Sequence, residues 1–361
     1  IMVKNFFKNF ANYLMKADMI LWLLLAAISV YSLLLLRSVD SSTGSSYFRT
    51  QLVAIVLGVV GAVILSLLDY ATLANFWYLL GGASIFLMIY TALFGDQVLG
   101  SGGVNARAWI QIGGSTFQTS EAVKIAFILT FSKHLDTLRK REWINRPLHV
   151  VLLGCHALVP MLLCELQGDT GAAIVFFAMF LAMSLAAGVK LRYFAILGGL
   201  VLIALPLLWQ FGMDEYQKLR FIALFNLDDP NIRMDAGYQQ YQGRISIGSG
   251  KLTGQGLFHG SRVASNSVPF QQSDYIFSVA GEELGFVGCS LILLLLLLFM
   301  AKVLHVAQTA RDDLGKYICF GYFGIIALQS ISNIGMCLAL LPAMGVTLPF
   351  FSAGGSSAIC M

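Results

Sequence analysis

Three carboxylates stand close together in the run NSVPFQQSDYIFSVAGEELGFVG, from Asn266 to Gly288. Asp274 lies where a long polar stretch meets a very hydrophobic one, and Glu282 and Glu283 follow two to three helical turns later. Ionisable groups at membrane depth are costly and mark functional sites by default. An acid at a membrane surface, backed by two more, suits proton chemistry or charge handling on an amphiphilic substrate.

Three further polar constellations accompany it. The segment from Gly100 to Lys124, GSGGVNARAWIQIGGSTFQTSEAVK, ends on Glu121 and Lys124, spaced to share one helix face. They read either as a structural ion pair or as a charged cavity wall. Ser120 is expected to cap that helix, with Glu121 in a first turn that favours an anion. Trp109 reads as an interfacial anchor. In ELQGDTGAA, from Glu165 to Ala173, Asp169 is placed to cap the next helix. In LPAMGVTLPFFSAGGSSA, from Leu341 to Ala358, Pro342 and Pro349 break the chain before a last helix capped by Ser356 and Ser357. Irregular backbone at membrane depth is tolerated only when buried in protein or lining a cavity.

The elements that must position these groups are membrane helices. Hydrophobic residues make up 58% of the 361 and charged residues only 12%, about half the share of a soluble domain. Net charge is +4, and no basic run interleaved with aromatics suggests nucleic acid. None of the six cysteines forms a CxxC pair, so they read as small apolar residues rather than a metal or redox centre. Spans of roughly 20 apolar residues fall near Met19–Leu36, Leu52–Leu68, Phe76–Phe94, Glu121–Phe131, His149–Leu163, Gly171–Ala187, Leu191–Trp209, Ile276–Leu304 and Tyr317–Leu340. A tenth begins near Ser356 and is cut by the end of the sequence at Met361. The fold class is therefore an all-α polytopic membrane protein of about ten transmembrane helices, forming a single integral membrane domain over residues 1–361.

Basic residues cluster on alternate loops: Lys4, Lys8 and Lys16; Lys133 to Arg146; Lys190 and Arg192; Lys302, Arg311 and Lys316. The positive-inside rule makes that side cytoplasmic, together with the amino terminus. The polar constellations then share the outer face, including the large extracytoplasmic loop at residues 211–275. Within it, YQQYQGRISIGSGKLTGQGL from Tyr238 to Leu257 is glycine-rich. Composition alone allows a flexible linker, but Ile245, Ile247, Leu252 and Leu257 are spaced like a packed segment. Glycine permits close backbone approach to a ligand, and Arg244 and Lys251 suit phosphate oxygens. No Walker pattern is present.

These patches, in this order, resemble the SEDS family (shape, elongation, division and sporulation), and its RodA-like branch more than FtsW or SpoVE. The resemblance spans essentially the whole chain. Its most specific parts are Gln242 to Leu257 with the IGSG core, Pro269 to Gly288 with DYIF and GEELGF, and Leu348 to Ser357 with LPFFSAGGSS. It implies a peptidoglycan glycosyltransferase that polymerises lipid II for cell-wall elongation and rod shape, in the bacterial cytoplasmic membrane. Implied partners are a class B penicillin-binding protein (a transpeptidase) and other elongation-complex proteins. The family's essential aspartate corresponds to Asp274, and its acid and following lysine to Glu121 and Lys124. Thr119 replaces a common proline, Gly168 and Thr170 alter a QPDLGT motif, and Ala108 replaces a common basic residue before Trp109. These departures bear on Trp109, Gln167 and Asp169.

Such a substrate is an α-linked lipid pyrophosphate and the polymer is β-1,4, so the transfer inverts. One direct displacement then needs a base for the attacking hydroxyl, and Asp274 is the candidate catalytic residue. The candidate cavity or substrate-binding residues are Glu121, Lys124, Trp109, Gln242, Arg244, Ser249, Gly250, Lys251, Glu282 and Ser356. Arg244, Lys251, Arg262 or a divalent cation, Mg or Mn, would stabilise the leaving pyrophosphate. No metal-ligand spacing is visible, so such an ion would be held jointly with the pyrophosphate. A lipid II flippase or lipid-linked substrate transporter is the alternative, and a structural scaffold a third. Leu328, Met336 and Leu340, with Gly321, Gly324 and Gly335, form the expected docking face for the transpeptidase.

Overall fold

The computed structural model describes residues 18–99, 105–112, 115–227 and 229–361. Lys4, Lys8 and Lys16 lie outside them. The long apolar runs fold as α1 (Met19–Thr43), α2 (Tyr47–Ser66), α4 (Trp77–Phe94), α6 (Pro147–Leu166), α7 (Thr170–Ala186) and α8 (Leu191–Leu207), with the short α3 (Tyr70–Asn75) after α2. The more polar α5 (Thr119–Lys140) stands among them. Four short helices follow: α9 (Glu215–Ala223), α10 (Pro230–Met234), α11 (Tyr238–Ser249) and α12 (Ser261–Ala264). The chain ends with α13 (Ile276–Gln308), α14 (Asp313–Cys337) and α15 (Gly355–Cys360). Among the described residues, seven helices are long and apolar enough to cross a membrane. This is an all-α, multi-pass membrane fold.

Two features depart from the sequence reading. The helix expected only over Glu121–Phe131 continues to Lys140. Its second half is polar in composition yet amphipathic, burying Phe131, Ser132, Leu135, Asp136 and Leu138, so hydropathy underestimates its length. The other is a three-stranded antiparallel sheet, β1 (Asp96–Leu99), β2 (Asn105–Ile112) and β3 (Ser115–Gln118), in the order β1-β2-β3. Trp109 sits in the central strand, opposite Asp96 and Gln118. The tryptophan expected at the membrane interface therefore stands on a strand.

Two apolar cores share α14. One joins it to α1 and α13 through Leu35, Ile292, Phe299 and Ile326; the other joins it to α5, α6 and α7 through Phe131, Phe176, Met179 and Ile325. The glycines expected to face a partner hold this seam. A Cβ on Gly321 would come within 2.8 Å of the Met183 sulfur, and one on Gly324 within 3.1 Å of the Met179 Cα. Gly335 is closed by Leu341, Met336 is buried and only Leu340 is widely exposed. The expected docking face is thus internal packing; small residues let helices approach closely within one chain as well as between chains.

α13 is interrupted. Its 33 residues would span about 50 Å, well beyond a hydrocarbon core of about 30 Å. Gly285, with φ 66° and ψ −158°, divides it. The turns before the break, carrying Glu282 and Glu283, lie against the polar loops rather than within the long apolar half. A broken helix orphans backbone groups, and one loop satisfies them. Lys251 and Leu252 carbonyls accept from the Phe286 and Val287 amides at 2.9 and 3.1 Å, while the Glu282 and Glu283 carbonyls accept from Gln255 and Gly256 at 2.9 Å each.

Candidate active site

Asp274 ends the turn that leads into α13 and is buried. The turn is built on Phe270, whose carbonyl accepts from the Ser273, Asp274 and Tyr275 amides. Phe270 holds φ 57°, and Phe350 in the facing loop φ 65°. A bulky residue in that region costs about 1–3 kcal/mol and persists only where its surroundings impose it.

The surroundings here are the two loops themselves. Ala353 donates its amide to the Gln272 carbonyl at 2.8 Å. Ser352 donates its hydroxyl to the Ser273 carbonyl and accepts the Leu348 amide. Asn333, fully buried on α14, donates to the carbonyls of Asp274 and Val346, each at 2.8 Å. LPFFSAGG is therefore the seat of the Asp274 turn.

The IGSG helix supplies the opposite wall. A Cβ on Gly243 would lie 2.9 Å from the Tyr275 ring, and one on Gly250 1.9 Å from the Gly281 carbonyl. The glycines let α11 lie directly on the first turns of α13. Ser249 bonds within this segment, donating to Ser246 O at 2.7 Å and accepting from Gln255 at 3.1 Å. Gly250 and Ser249 thus shape the wall. Arg244 and Lys251 are exposed, and Gln242 is half-buried.

Glu282 and Glu283 fasten the following loop. Glu282 accepts the Arg262 amide at 2.6 Å; Glu283 accepts the Ser38 hydroxyl at 2.5 Å and the Gly260 amide at 3.4 Å. With its backbone held there, Arg262 turns its guanidinium onto Ser246 at 2.9 Å and onto the Gln242 carbonyl oxygen. Glu282 therefore holds Arg262 beside the α11 wall.

The second charged group lies on α5. Glu121 and Lys124 form an ion pair at 2.7 Å, with side chains only 7% and 3% exposed. Asp169 is close by. It caps α7 through the Ala172 amide at 3.0 Å and accepts Gln118 Nε2 at 2.7 Å. Desolvation pushes the Asp169 carboxyl above its ordinary range, although the Ala172 and Gln118 donors pull it back. The cap of α5 is Gln118, not Ser120. Likewise Gly354, not Ser356, precedes α15; Ser356 instead accepts the Gln118 amide at 2.9 Å, which binds α15 to the sheet.

One segment links the two groups. Residues 341–356 receive Gln240 on Leu341 O at 2.6 Å and Arg220 on Ala343 O at 2.7 Å, support the Asp274 turn in the middle, and reach Gln118 at the end. Sequence reasoning missed Asn333, Gln240 and Arg220. Their types alone, a polar residue within an apolar helix in the case of Asn333, were the available signal. Among the described residues no group of three His, Cys, Asp or Glu side chains could hold a metal ion. A divalent cation would need oxygens from the pyrophosphate to complete its shell.

The family model described as "Cell cycle protein", which covers FtsW, RodA and SpoVE, matches residues 12–361. The Escherichia coli K12 peptidoglycan glycosyltransferase MrdB is 31% identical over 348 residues, covering 95% of this chain and 90% of its own. The Bacillus subtilis stage V sporulation protein E is 32% identical over 333 residues, covering 89% and 86%. A Geobacter sulfurreducens probable peptidoglycan glycosyltransferase FtsW is 30% identical over 354 residues, covering 95% and 91%. Among solved structures, a chain from a peptidoglycan synthase complex aligns with TM-score 0.80 at 27% identity, over 96% of this chain and 94% of that one. The Thermus thermophilus rod shape determining protein RodA aligns with TM-score 0.69 at 27% identity, over 96% and 93%. With a match running through the Asp274 turn, the IGSG helix and the LPFFSAGG seat alike, this chain belongs to the FtsW, RodA and SpoVE family.

Proposed function

We propose that this protein is a peptidoglycan glycosyltransferase that polymerises lipid II by inverting transfer, with Asp274 as general base. The observation that carries this reading is the seat of Asp274: a buried acid on a turn held by three elements, in a family with relatives named peptidoglycan glycosyltransferases. Asp274 takes the proton from the attacking sugar hydroxyl. The new O–C1 bond forms on one face as the C1–O bond to the pyrophosphate breaks on the other, and the bonding pair leaves on phosphate. A positioned base contributes about 10²–10⁴-fold to such a step.

The departing charge needs cations. Arg262 has five N–H donors in a fixed fork and is held beside Gln242 and Ser246. Arg244 and Lys251 are exposed on the same segment. Glu121 and Lys124 form a charged wall whose net charge is zero, which suits neutral sugar hydroxyls. In this reading Trp109 and Ser356 bound the substrate from the sheet and α15, while Ser249 and Gly250 shape α11, which packs on the first turns of α13.

This chemistry belongs on the outer face of the bacterial cytoplasmic membrane, with the amino terminus in the cytoplasm and residues 211–275 as the extracytoplasmic loop. A class B penicillin-binding protein would cross-link the strands, and a RodA-like role in elongation follows. The reading is supported by the resemblance to a chain of a peptidoglycan synthase complex. The test is purified protein, with its transpeptidase partner, given labelled lipid II in detergent. Glycan polymer is the expected product. Because flipping has no meaning in detergent, a failure to polymerise by folded complex returns the reading to a transporter or a scaffold.

A further inference from the structure

At the end of α5 opposite Gln118, two loops are locked into one surface. The last turn of α5 carries Arg139 and Lys140, the turn after it Arg141 and Arg146, and Lys190 and Arg192 stand at the start of α8; all six cations are exposed. Asn145 joins the turns. Its Nδ2 donates to Gly188 O at 3.1 Å, its Oδ1 accepts the Lys190 amide at 2.8 Å, and its carbonyl accepts the Tyr193 hydroxyl at 2.8 Å. The guanidiniums of Arg141 and Arg146 lie 5.2 and 5.1 Å from the Trp143 ring centre, and that of Arg192 lies 4.8 Å from Tyr193.

Acids offset part of this charge, most of it at Lys140. Asp136 bonds Lys140 at 2.8 Å, with Asp312 and Asp313 acting on the same lysine; Glu142 is the acid on the turn itself. Beside the cations large apolar side chains are exposed. Leu148 and Leu191 begin the next two spans and are 68% and 72% exposed. Half-buried Trp143 and Tyr193 belong at headgroup level.

We propose that this double loop is a binding site for the phosphate headgroup of an anionic phospholipid in the leaflet at that end, with the acyl chains against Leu148 and Leu191. The stacking of Arg141 and Arg146 on one ring, Trp143, and the Asn145 lock between the loops distinguish it from the diffuse basic charge that merely sets topology. The exposed leucines at the starts of two membrane spans favour a lipid over a soluble protein. The site stands apart from Asp274, and the proposal is independent of the reaction assigned to it.

The test is native mass spectrometry of the full chain in detergent, titrated with dioleoylphosphatidylglycerol or dioleoylphosphatidylcholine. Saturable preference for phosphatidylglycerol is expected. At about 1 kcal/mol per cation near an anionic surface, Arg141→Gln with Arg146→Gln should weaken it about 30-fold. Arg311→Gln with Lys316→Gln, an equal loss of charge at the neighbouring start of α14, should leave it nearly unchanged. Asn145→Ala keeps every charge and should weaken binding several-fold by releasing the lock, with thermal melting confirming that each variant is folded. Equal losses from both double variants would reduce the patch to diffuse charge and overturn the proposal. So would absence of preference between the two lipids, or full binding by Asn145→Ala.

Discussion

Replacing Asn333 by leucine tests whether the Asp274 turn is held from α14. Leucine matches asparagine in length and keeps the helix, but offers no donor. Two buried carbonyls, those of Asp274 and Val346, would each lose a 2.8 Å hydrogen bond. Leaving a buried acceptor unsatisfied costs about 1–3 kcal/mol, so the pair costs about 2–6 kcal/mol by the same rule. The Cys337 thiol, at 3.5 Å from the Asp274 carbonyl, is too weak a donor to compensate. The penalty falls on the turn and on the 341–356 segment together, because Asn333 joins them. Lipid II polymerisation should therefore fall by at least tenfold and the thermal midpoint should drop, while insertion in the membrane persists. Polymerisation and detergent melting, measured on one preparation, are the assays. Native activity and melting in Asn333→Leu would refute the idea that these bonds seat the catalytic turn.

Three further outcomes are expected. Single removal of Glu121 or Lys124 strands a buried charge, typically at a cost of about 3–5 kcal/mol; Glu121→Gln with Lys124→Met should be milder than either alone, and a double-mutant cycle on melting reads the coupling. Gly250→Ala places a methyl 1.9 Å from the Gly281 carbonyl, so α11 must lift from α13; activity should collapse, whereas Gly248→Ala, which meets nothing within 4 Å, should be close to native. Ser38→Ala removes a hydroxyl donor to buried Glu283 and should lower stability by about 1–3 kcal/mol, read as a drop in the melting midpoint, with a smaller effect on polymerisation than Asn333→Leu.

Much of this was legible in the sequence. Apolar runs with few charges have one structural solution in a bilayer, so the spans could be read from composition and length. Asp274 and the Glu121–Lys124 pair stood out because charges are scarce in such a chain. What stayed hidden depends on contacts distant in sequence. The break at Gly285 is invisible in GEELGFVG, since one glycine costs a helix only about 1 kcal/mol and the loop at Lys251–Gly256 makes the break affordable. Ser120 looked like a cap, yet the strand entering α5 makes Gln118 the boundary. Gly321 and Gly324 looked like a partner surface because small residues serve contacts within and between chains equally. The second half of α5 was lost to a hydropathy window that averages a buried face with a polar one.

The central claim is that Asp274 is the base, and Asp274→Asn is its most direct test. The change keeps size and one acceptor oxygen while replacing the basic carboxylate by a neutral amide. Single-turnover polymerisation of lipid II should be measured on the variant in complex with its transpeptidase partner, with melting recorded alongside. The account predicts native melting and a rate lower by about 10²–10⁴-fold. Polymerisation by folded Asp274→Asn protein within a few-fold of the native rate would contradict it.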